Sequence, residues 1–358
     1  MKIAVDFQSA EGQRTGIGFF AKNLFDTISK IDTGIDFTFY TKNSKKDLGA
    51  PARIFWESVE IPVRNLYEKP DLIYSPGFSP ALWSPVPRVV TVHDIIGVAF
   101  PSRQGKASKF YWSHWQPMVL KKAARIVASS ESTRSDLEKY LGISPKKVEV
   151  VRLASGAHFQ VLSNRAPVEA MRKLYDLPRA YWICVGTLEP RKNILNLVKA
   201  FEKFSQKRPE TALVIVGKPG GAEGPIHEFI REKKLQKNIR ILGYVSDENL
   251  VNLYNGALGY AMMSLYEGFG YPVLEAMSCG LSGIISDRSS LPEVAGKTAI
   301  WVNPEDVAEI ADALATYTDD EKLRSTLAAS AYLRSKEFSL EKTAQRMIEI
   351  FKETGGRL

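Results

Sequence analysis

The chain has 358 residues, 44% of them hydrophobic and 25% charged, and a formal net charge of +8. That length suits two domains, each large enough for its own core. The composition is that of a globular protein, and the lack of any low-complexity tract or 20-residue apolar run excludes a repetitive or membrane-spanning chain.

Charge is unevenly spread: residues 1–160 hold 22 Lys and Arg against 15 Asp and Glu, the remainder 26 against 25. The first half therefore points to an anionic partner. No nucleic-acid motif accompanies it and the basic residues do not line one helix, so an anionic membrane surface or phosphate-bearing lipid fits as well. Cys184 and Cys279 lie in apolar contexts with no metal-binding spacing and read as core thiols of a reducing cytoplasm.

In chain order, apolar runs at 2–7, 35–40, 71–74, 88–92, 125–129 and 148–152 predict strands. The start, Met1-Lys2-Ile3-Ala4-Val5-Asp6-Phe7, reads as a strand rather than a signal peptide. The following turn lacks G-x-G-x-x-G spacing, which weighs against a dinucleotide-dependent dehydrogenase. It contains Gly16-Ile17-Gly18 ahead of Phe19, Phe20, Leu24, Phe25 and Ile28 at helical spacing. Those glycines either let the loop approach an acceptor or phosphate or form a simple tight turn.

Strand 88–92 runs into His93-Asp94. A histidine beside an acid at a strand's carboxyl end is in the active-site position of an open α/β sheet, the alternative being a satisfied half-buried histidine. His114, His158 and His227 have no partner pattern and read as structural. From Ile95 to Ser130 there is no acidic residue, while Arg103, Lys106, Lys109, Lys121, Lys122 and Arg125 lie among Phe110, Tyr111, Trp112 and Trp115. Basic plus aromatic is the composition of a helix resting on a membrane interface, although Pro117 would divide that helix and the tryptophans also suit a core.

Near 160–172 the periodicity breaks, which places a join there. Beyond it, runs at 181–186, 211–216, 238–242, 258–263, 282–286 and 298–302 predict a second set of strands, near-continuous in apolar residues as buried parallel strands are. Ile194, Leu197, Val198, Phe201 and Phe204 follow the spacing of an amphipathic crossover helix. This alternation predicts two doubly wound α/β domains whose ligands bind beyond the carboxyl ends of the strands, in a cleft between them. Residues 338–352 read as one more helix, with Leu340, Ala344, Met347, Ile348 and Phe351 on one face.

Three stretches of the second half carry candidate chemistry. After strand 181–186 comes Gly186-Thr187-Leu188-Glu189-Pro190-Arg191-Lys192-Asn193. Cations at a helix start oppose the dipole, so Arg191 and Lys192 are better explained as a holder for a diphosphate than as a stability device. Gly243-Tyr244-Val245 closes a strand and is placed to lie under a base. Tyr266-Glu267-Gly268-Phe269-Gly270-Tyr271-Pro272-Val273-Leu274-Glu275 carries two glutamates eight positions apart. There Gly268 and Gly270 bare the backbone, Pro272 fits a first helical position and the helix start forms an anion site. Glu267 falls before that helix and Glu275 about one turn inside it, an arrangement suited to a nucleotide sugar; the alternative is a tight turn with two solvated acids. Leu291-Pro292-Glu293 reads as a surface turn.

Together these residues resemble the retaining glycosyltransferase family 4, which has the GT-B fold. Gly16-Ile17-Gly18, His93-Asp94, Gly186 to Asn193, Glu267 to Glu275 in the family's E-x₇-E arrangement and Ser289-Ser290-Leu291-Pro292-Glu293 carry the match in this order. The resemblance implies an acceptor-binding domain over 1–165, a nucleotide-sugar-binding domain over 166–337 and a C-terminal helix, 338–358, crossing back to the first domain. It also implies that Arg191 and Lys192 hold the donor diphosphate with amides near Phe269 and Gly270, that Glu275 binds the ribose hydroxyls, and that Glu267 and His93 face the transferred sugar. Many members have an arginine directly after the glycine equivalent to Gly186; here Thr187 stands there and Arg191 supplies the charge.

The resemblance extends to bacterial mannosyltransferases of polysaccharide assembly. The expected activity is therefore transfer of a sugar, mannose from GDP-mannose as first choice, to a glycan or lipid-linked glycan. No cofactor or metal is expected, since no Asp-x-Asp occurs. The expected location is the cytoplasm, peripheral to the inner face of the membrane through 103–125. A sugar-nucleotide epimerase of the same fold and a non-catalytic two-lobed binding protein are the alternatives.

Overall fold

In the computed structural model the described residues are 1–11, 16–42, 48–77, 80–100 and 110–356. Among them twelve strands form two six-stranded sheets, and each of the twelve apolar runs lies on one of these strands. The first sheet has the order β2-β1-β3-β4-β5-β6, with β1 Lys2–Asp6, β2 Asp36–Tyr40, β3 Leu72–Ser75, β4 Arg88–Val92, β5 Arg125–Ala128 and β6 Val148–Val150. The second has the order β12-β11-β10-β7-β8-β9, with β7 Tyr181–Val185, β8 Ala212–Val216, β9 Ile239–Gly243, β10 Gly259–Met262, β11 Gly283–Ser286 and β12 Ile300–Val302. Every pairing is parallel. Parallel strands need crossovers, and helices supply them on both faces, which is why these strands carry apolar side chains on both sides.

The chain divides into two compact units, Met1–Ala154 with Phe338–Leu358, and Ser155–Glu337. Residues 155–165, assigned from the sequence to the first domain, group with the second unit. The Leu162 amide donates to Asn255 at 2.9 Å and the Phe159 ring meets Tyr254 edge-on. Those tertiary contacts leave no trace in local periodicity.

In the first unit the helix Gly16–Ile28 buries Phe20, Leu24, Phe25 and Ile28. The last helix, Leu340–Gly355, buries Ala344, Met347, Ile348 and Phe351 in the same unit. Phe351 meets Tyr74 at 4.9 Å between ring centroids, and Thr343 donates to the Arg152 carbonyl at 2.8 Å. Each buried Leu, Ile, Met or Phe side chain among these contributes about 1.5–3 kcal/mol of apolar burial. In the second unit Ile194, Leu197, Val198, Phe201 and Phe204 all face the core from the helix Ile194–Ser205. That anchored helix fixes the loop before it, where the candidate site lies.

Candidate active site

The second unit's site is built where three chain turns leave adjacent parallel strands. After β7, Gly186 takes φ 154°, and a Cβ there would lie 3.0 Å from Cε of Lys192. The lysine stem lies across this glycine, a close approach that a side chain would obstruct. Pro190–Lys192 form one 3₁₀ turn, and Asn193, at φ 52°, swings the chain into the helix Ile194–Ser205. After β10, Gly270 at φ 105° and ψ 46° starts the helix Tyr271–Ser278, in which Pro272 holds the second position. After β11, Ser289 and Ser290 precede the short helix Leu291–Ala295. The expected surface turn at Leu291-Pro292-Glu293 is thus corrected: Leu291 and Val294 are buried, and their burial secures a helical turn.

Glu267 is the centre of the cluster and is only 8% exposed. Its Oε1 accepts from Lys192 Nζ at 2.5 Å and from the Ser264 hydroxyl at 2.6 Å, while its Oε2 accepts from Arg191 at 3.0 Å. Arg191 also donates to Glu189 at 2.8 Å and to the Tyr266 carbonyl at 3.2 Å. Ser290 donates to the carbonyls of Glu267 and Phe269, at 3.0 and 2.8 Å, and the Glu267 amide donates to Ser289 at 3.2 Å. Burial alone would raise the Glu267 carboxyl. The attraction of Lys192 and Arg191, with the hydrogen bonds from Lys192 and Ser264, outweighs it and holds the group below its usual range. Burial acts against the Arg191 charge too, and Glu267 and Glu189 more than offset it.

Glu275 lies inside the helix that Gly270 starts and accepts from the Tyr254 hydroxyl at 3.3 Å. Burial, reinforced by Asp247, pushes its carboxyl up to about 7, against the opposing pull of Tyr254 and Lys192. The turn before this helix and the helix itself thus carry two carboxyls of opposite character: Glu267 stays ionised, and Glu275 is half protonated near neutrality.

The first unit holds His93 directly after β4. Its Nε2 is 2.9 Å from the Pro76 carbonyl and its ring meets Phe20 edge-on at 4.9 Å. Burial lowers its pKa to about 4, so at neutral pH the ring is uncharged. A carbonyl can only accept, so Nε2 carries the proton and Nδ1 the lone pair. The Asp94 carboxylate accepts from the Ile96 amide at 2.9 Å.

Gly16, Ile17 and Gly18 are the first residues of the helix Gly16–Ile28 rather than a loop ahead of it, and Ile17 packs over Gly77. Val245 is buried after β9, the Thr187 carbonyl accepts from the Glu189 amide at 2.7 Å, and buried Phe269 accepts from Ser290 through its carbonyl. Only part of the stretch from Arg103 to Arg125 that suits a membrane interface is described. Arg103, Lys106 and Lys109 lie outside the described residues, and Tyr111–Trp115 is a π-helical turn followed by the helix Gln116–Leu120 around Pro117. Tyr111 and Trp115 turn inward and donate to the fully buried Glu57 at 2.9 and 3.1 Å. Their polar atoms answer a buried carboxylate.

The sequence reading missed Ser264, Glu189, Tyr254 and the hydroxyl roles of Ser289 and Ser290. Glu189 stands two positions from Arg191, the one signal that was available. The serines act from separate strand ends, and no linear spacing encodes that.

Two α/β units with parallel sheets give the chain the GT-B fold of glycosyltransferases. Solved structures agree: sucrose-phosphate synthase from Thermosynechococcus elongatus superposes with a TM-score of 0.77 over 98% of both chains at 18% identity. The description Glycosyl transferases group 1 matches residues 170–334, and Glycosyltransferase Family 4 matches residues 41–153. The O-antigen chain mannosyltransferase B of Escherichia coli is 31% identical over 74% of this chain and 70% of its own length. A serotype-specific mannosyltransferase of the same organism is 29% identical over 82% of this chain, which spans 38% of that longer protein. The chain belongs to this glycosyltransferase family and is a hexosyltransferase. Among the described residues no helix is long and apolar enough to cross a membrane.

Proposed function

We propose that the protein transfers mannose from GDP-mannose to a glycan or lipid-linked glycan in polysaccharide assembly, with retention of anomeric configuration. The two relatives named as mannosyltransferases support the sugar. The buried Arg191–Lys192–Glu267 cluster is the observation that carries the chemistry. Departure of a nucleoside diphosphate needs positive charge fixed in advance, and cations held by a buried carboxylate meet that need.

In this reading Arg191 and Lys192 take the diphosphate, with Gly186, Thr187 and the backbone at Phe269 and Gly270 beside it. Val245 lies under the base and Glu275 accepts from the ribose hydroxyls. Glu267 and the uncharged His93 contact the transferred sugar, His93 accepting a hydroxyl proton at Nδ1. Gly16, Ile17 and Gly18 belong to the acceptor side. The cations replace a metal, and the leaving diphosphate assists front-face attack by the acceptor, with no covalent nucleophile. The enzyme works in the cytoplasm, on the membrane's inner face.

A donor panel tests this. GDP-mannose is expected to be turned over in the presence of EDTA, with the product linkage in the donor's anomeric configuration by NMR. Turnover of a UDP- or ADP-sugar alone would remove the mannose assignment, and an inverted product would remove the mechanism.

Glu275 gives a second expected outcome. Ribose hydroxyls donate more strongly to a carboxylate than to a carboxylic acid, so binding favours ionisation. A group that titrates near 7 must lose its proton as the ligand binds. Nucleotide-sugar affinity, whose diphosphate stays ionised throughout, is expected to rise about thirtyfold from about pH 5.5 to 8 and then level off. Calorimetry of Glu275→Gln should show weaker binding without that slope; an unchanged slope would remove Glu275 from the ribose site.

A further inference from the structure

The first unit carries a helical run that is apolar on its outer side as well as on its buried one, where Trp56 and Ile61 join the core. Three consecutive elements, the helix Ala50–Phe55, the π turn Trp56–Glu60 and the helix Ile61–Glu68, form one helical run. From residue 53 to 67 every exposed side chain of this run is apolar: Phe55, Val59, Val63, Leu66 and Tyr67. Phe55 is 52% and Tyr67 84% exposed. Three polar residues of the run are buried, and Ser58, Glu60, Arg64 and Glu68 are only partly exposed. Arg53 is buried near Asp6, Glu57 receives the Tyr111 and Trp115 bonds, and buried Asn65 donates to Ser84 at 3.3 Å. An ordinary surface helix buries its apolar stripe and wets its charged one. Here the outer stripe is dressed for an apolar medium, and Trp83, also exposed, adjoins Ser84 at its edge.

Charge selects the occupant. The first unit holds 26 basic residues against 18 acidic, and the second 22 against 22, so the entire +8 belongs to the unit with the stripe. Cationic heads border it: Lys42, ion-paired with Glu60 at 2.5 Å, lies 5.8 Å from the centre of the Phe55 ring, Arg64 5.3 Å from that of Trp56, and Lys69 is exposed at the helix end. Long cationic side chains beside exposed aromatics suit the level of lipid head groups. A second copy of the chain would bring two equally basic units together, whereas an anionic bilayer attracts one.

We infer that Phe55, Val59, Val63, Leu66 and Tyr67 form a monotopic membrane-docking face that lies on an anionic bilayer surface. This face is made by residues 55–67 and is independent of the donor assignment.

Flotation of the full chain with vesicles of mixed phosphatidylethanolamine and phosphatidylglycerol tests it. The protein is expected to float with them, to lose binding as salt rises and to remain unbound with phosphatidylcholine alone. Phe55→Ser combined with Leu66→Ser is expected to cut partitioning more than about tenfold, with unchanged melting temperature and nucleotide-sugar affinity. Tyr67→Ser, at the most exposed position, repeats the test should the double variant misfold. Failure of the native chain to float, or equal flotation of the folded variants, overturns the proposal. So does a sedimenting dimer that the variants convert to monomer without any lipid binding.

Discussion

Lys192→Ala is expected to lower kcat with nucleotide-sugar donor by about 10²–10³-fold, the effect of deleting one preorganised donor at a site of developing charge. The ammonium is placed for that role before any ligand arrives: 7% exposed, stem across Gly186, head 2.5 Å from Glu267. Lys192→Arg should not restore the rate, because a planar fork cannot occupy the slot over Gly186 that fits a compact ammonium. Steady-state kinetics with melting curves check this. A folded Lys192→Ala enzyme with native kcat would remove the lysine from the chemistry.

Glu267→Ala has the larger expected effect on the protein itself. It leaves two cations, Lys192 and Arg191, in a buried setting without their shared carboxylate. Breaking a buried pair from one side costs about 3–5 kcal/mol, or roughly 6–20 °C in melting temperature for a unit of this size. The sign with pH follows from the lowered carboxyl. The stabilisation is fully present above the unperturbed value near 4.5 and fades as pH falls below it, so wild type and variant should converge in acid.

The same variant separates two roles for Glu267. Three of its acceptor positions are already used by Lys192, Ser264 and Arg191, so a bound diphosphate must share those cations with the carboxylate. If Glu267 mainly holds the cations in place, GDP should stabilise Glu267→Ala more than wild type, because its phosphates replace the missing charge. Turnover should still fall, since the sugar contact is gone. Weaker GDP stabilisation in the variant would mean that the carboxylate aligns the cations and does not compete for them.

The strand runs, the helix face from Ile194 to Phe204 and the last helix were legible because their signals are local. A strand covered on both faces reads as a continuous apolar run, and a half-buried helix repeats every three to four residues. The same locality explains the errors. Leu291-Pro292-Glu293 looked like a turn until the burial of Leu291 and Val294 made it a helix. Tyr111 and Trp115 suited a membrane interface or a core equally, because Glu57, more than fifty positions away, is invisible in their neighbourhood. The helix Gly16–Ile28 begins at the glycines themselves because it is held from its buried face.

At the candidate site the order of residues along the chain names the available groups: Arg191 and Lys192 before one helix, Glu267 and Glu275 around the start of another, His93 after a strand. Tertiary structure alone decided that Glu267 lies between Arg191 and Lys192, some 75 positions away, and that Ser264 and Ser290 fasten it there. It likewise decided that Glu275 titrates near 7 and that His93 is uncharged. A residue type names a charge and its reach. Which partner meets that charge, and how much water remains around it, depends on strands that the parallel sheet brings side by side from distant parts of the chain.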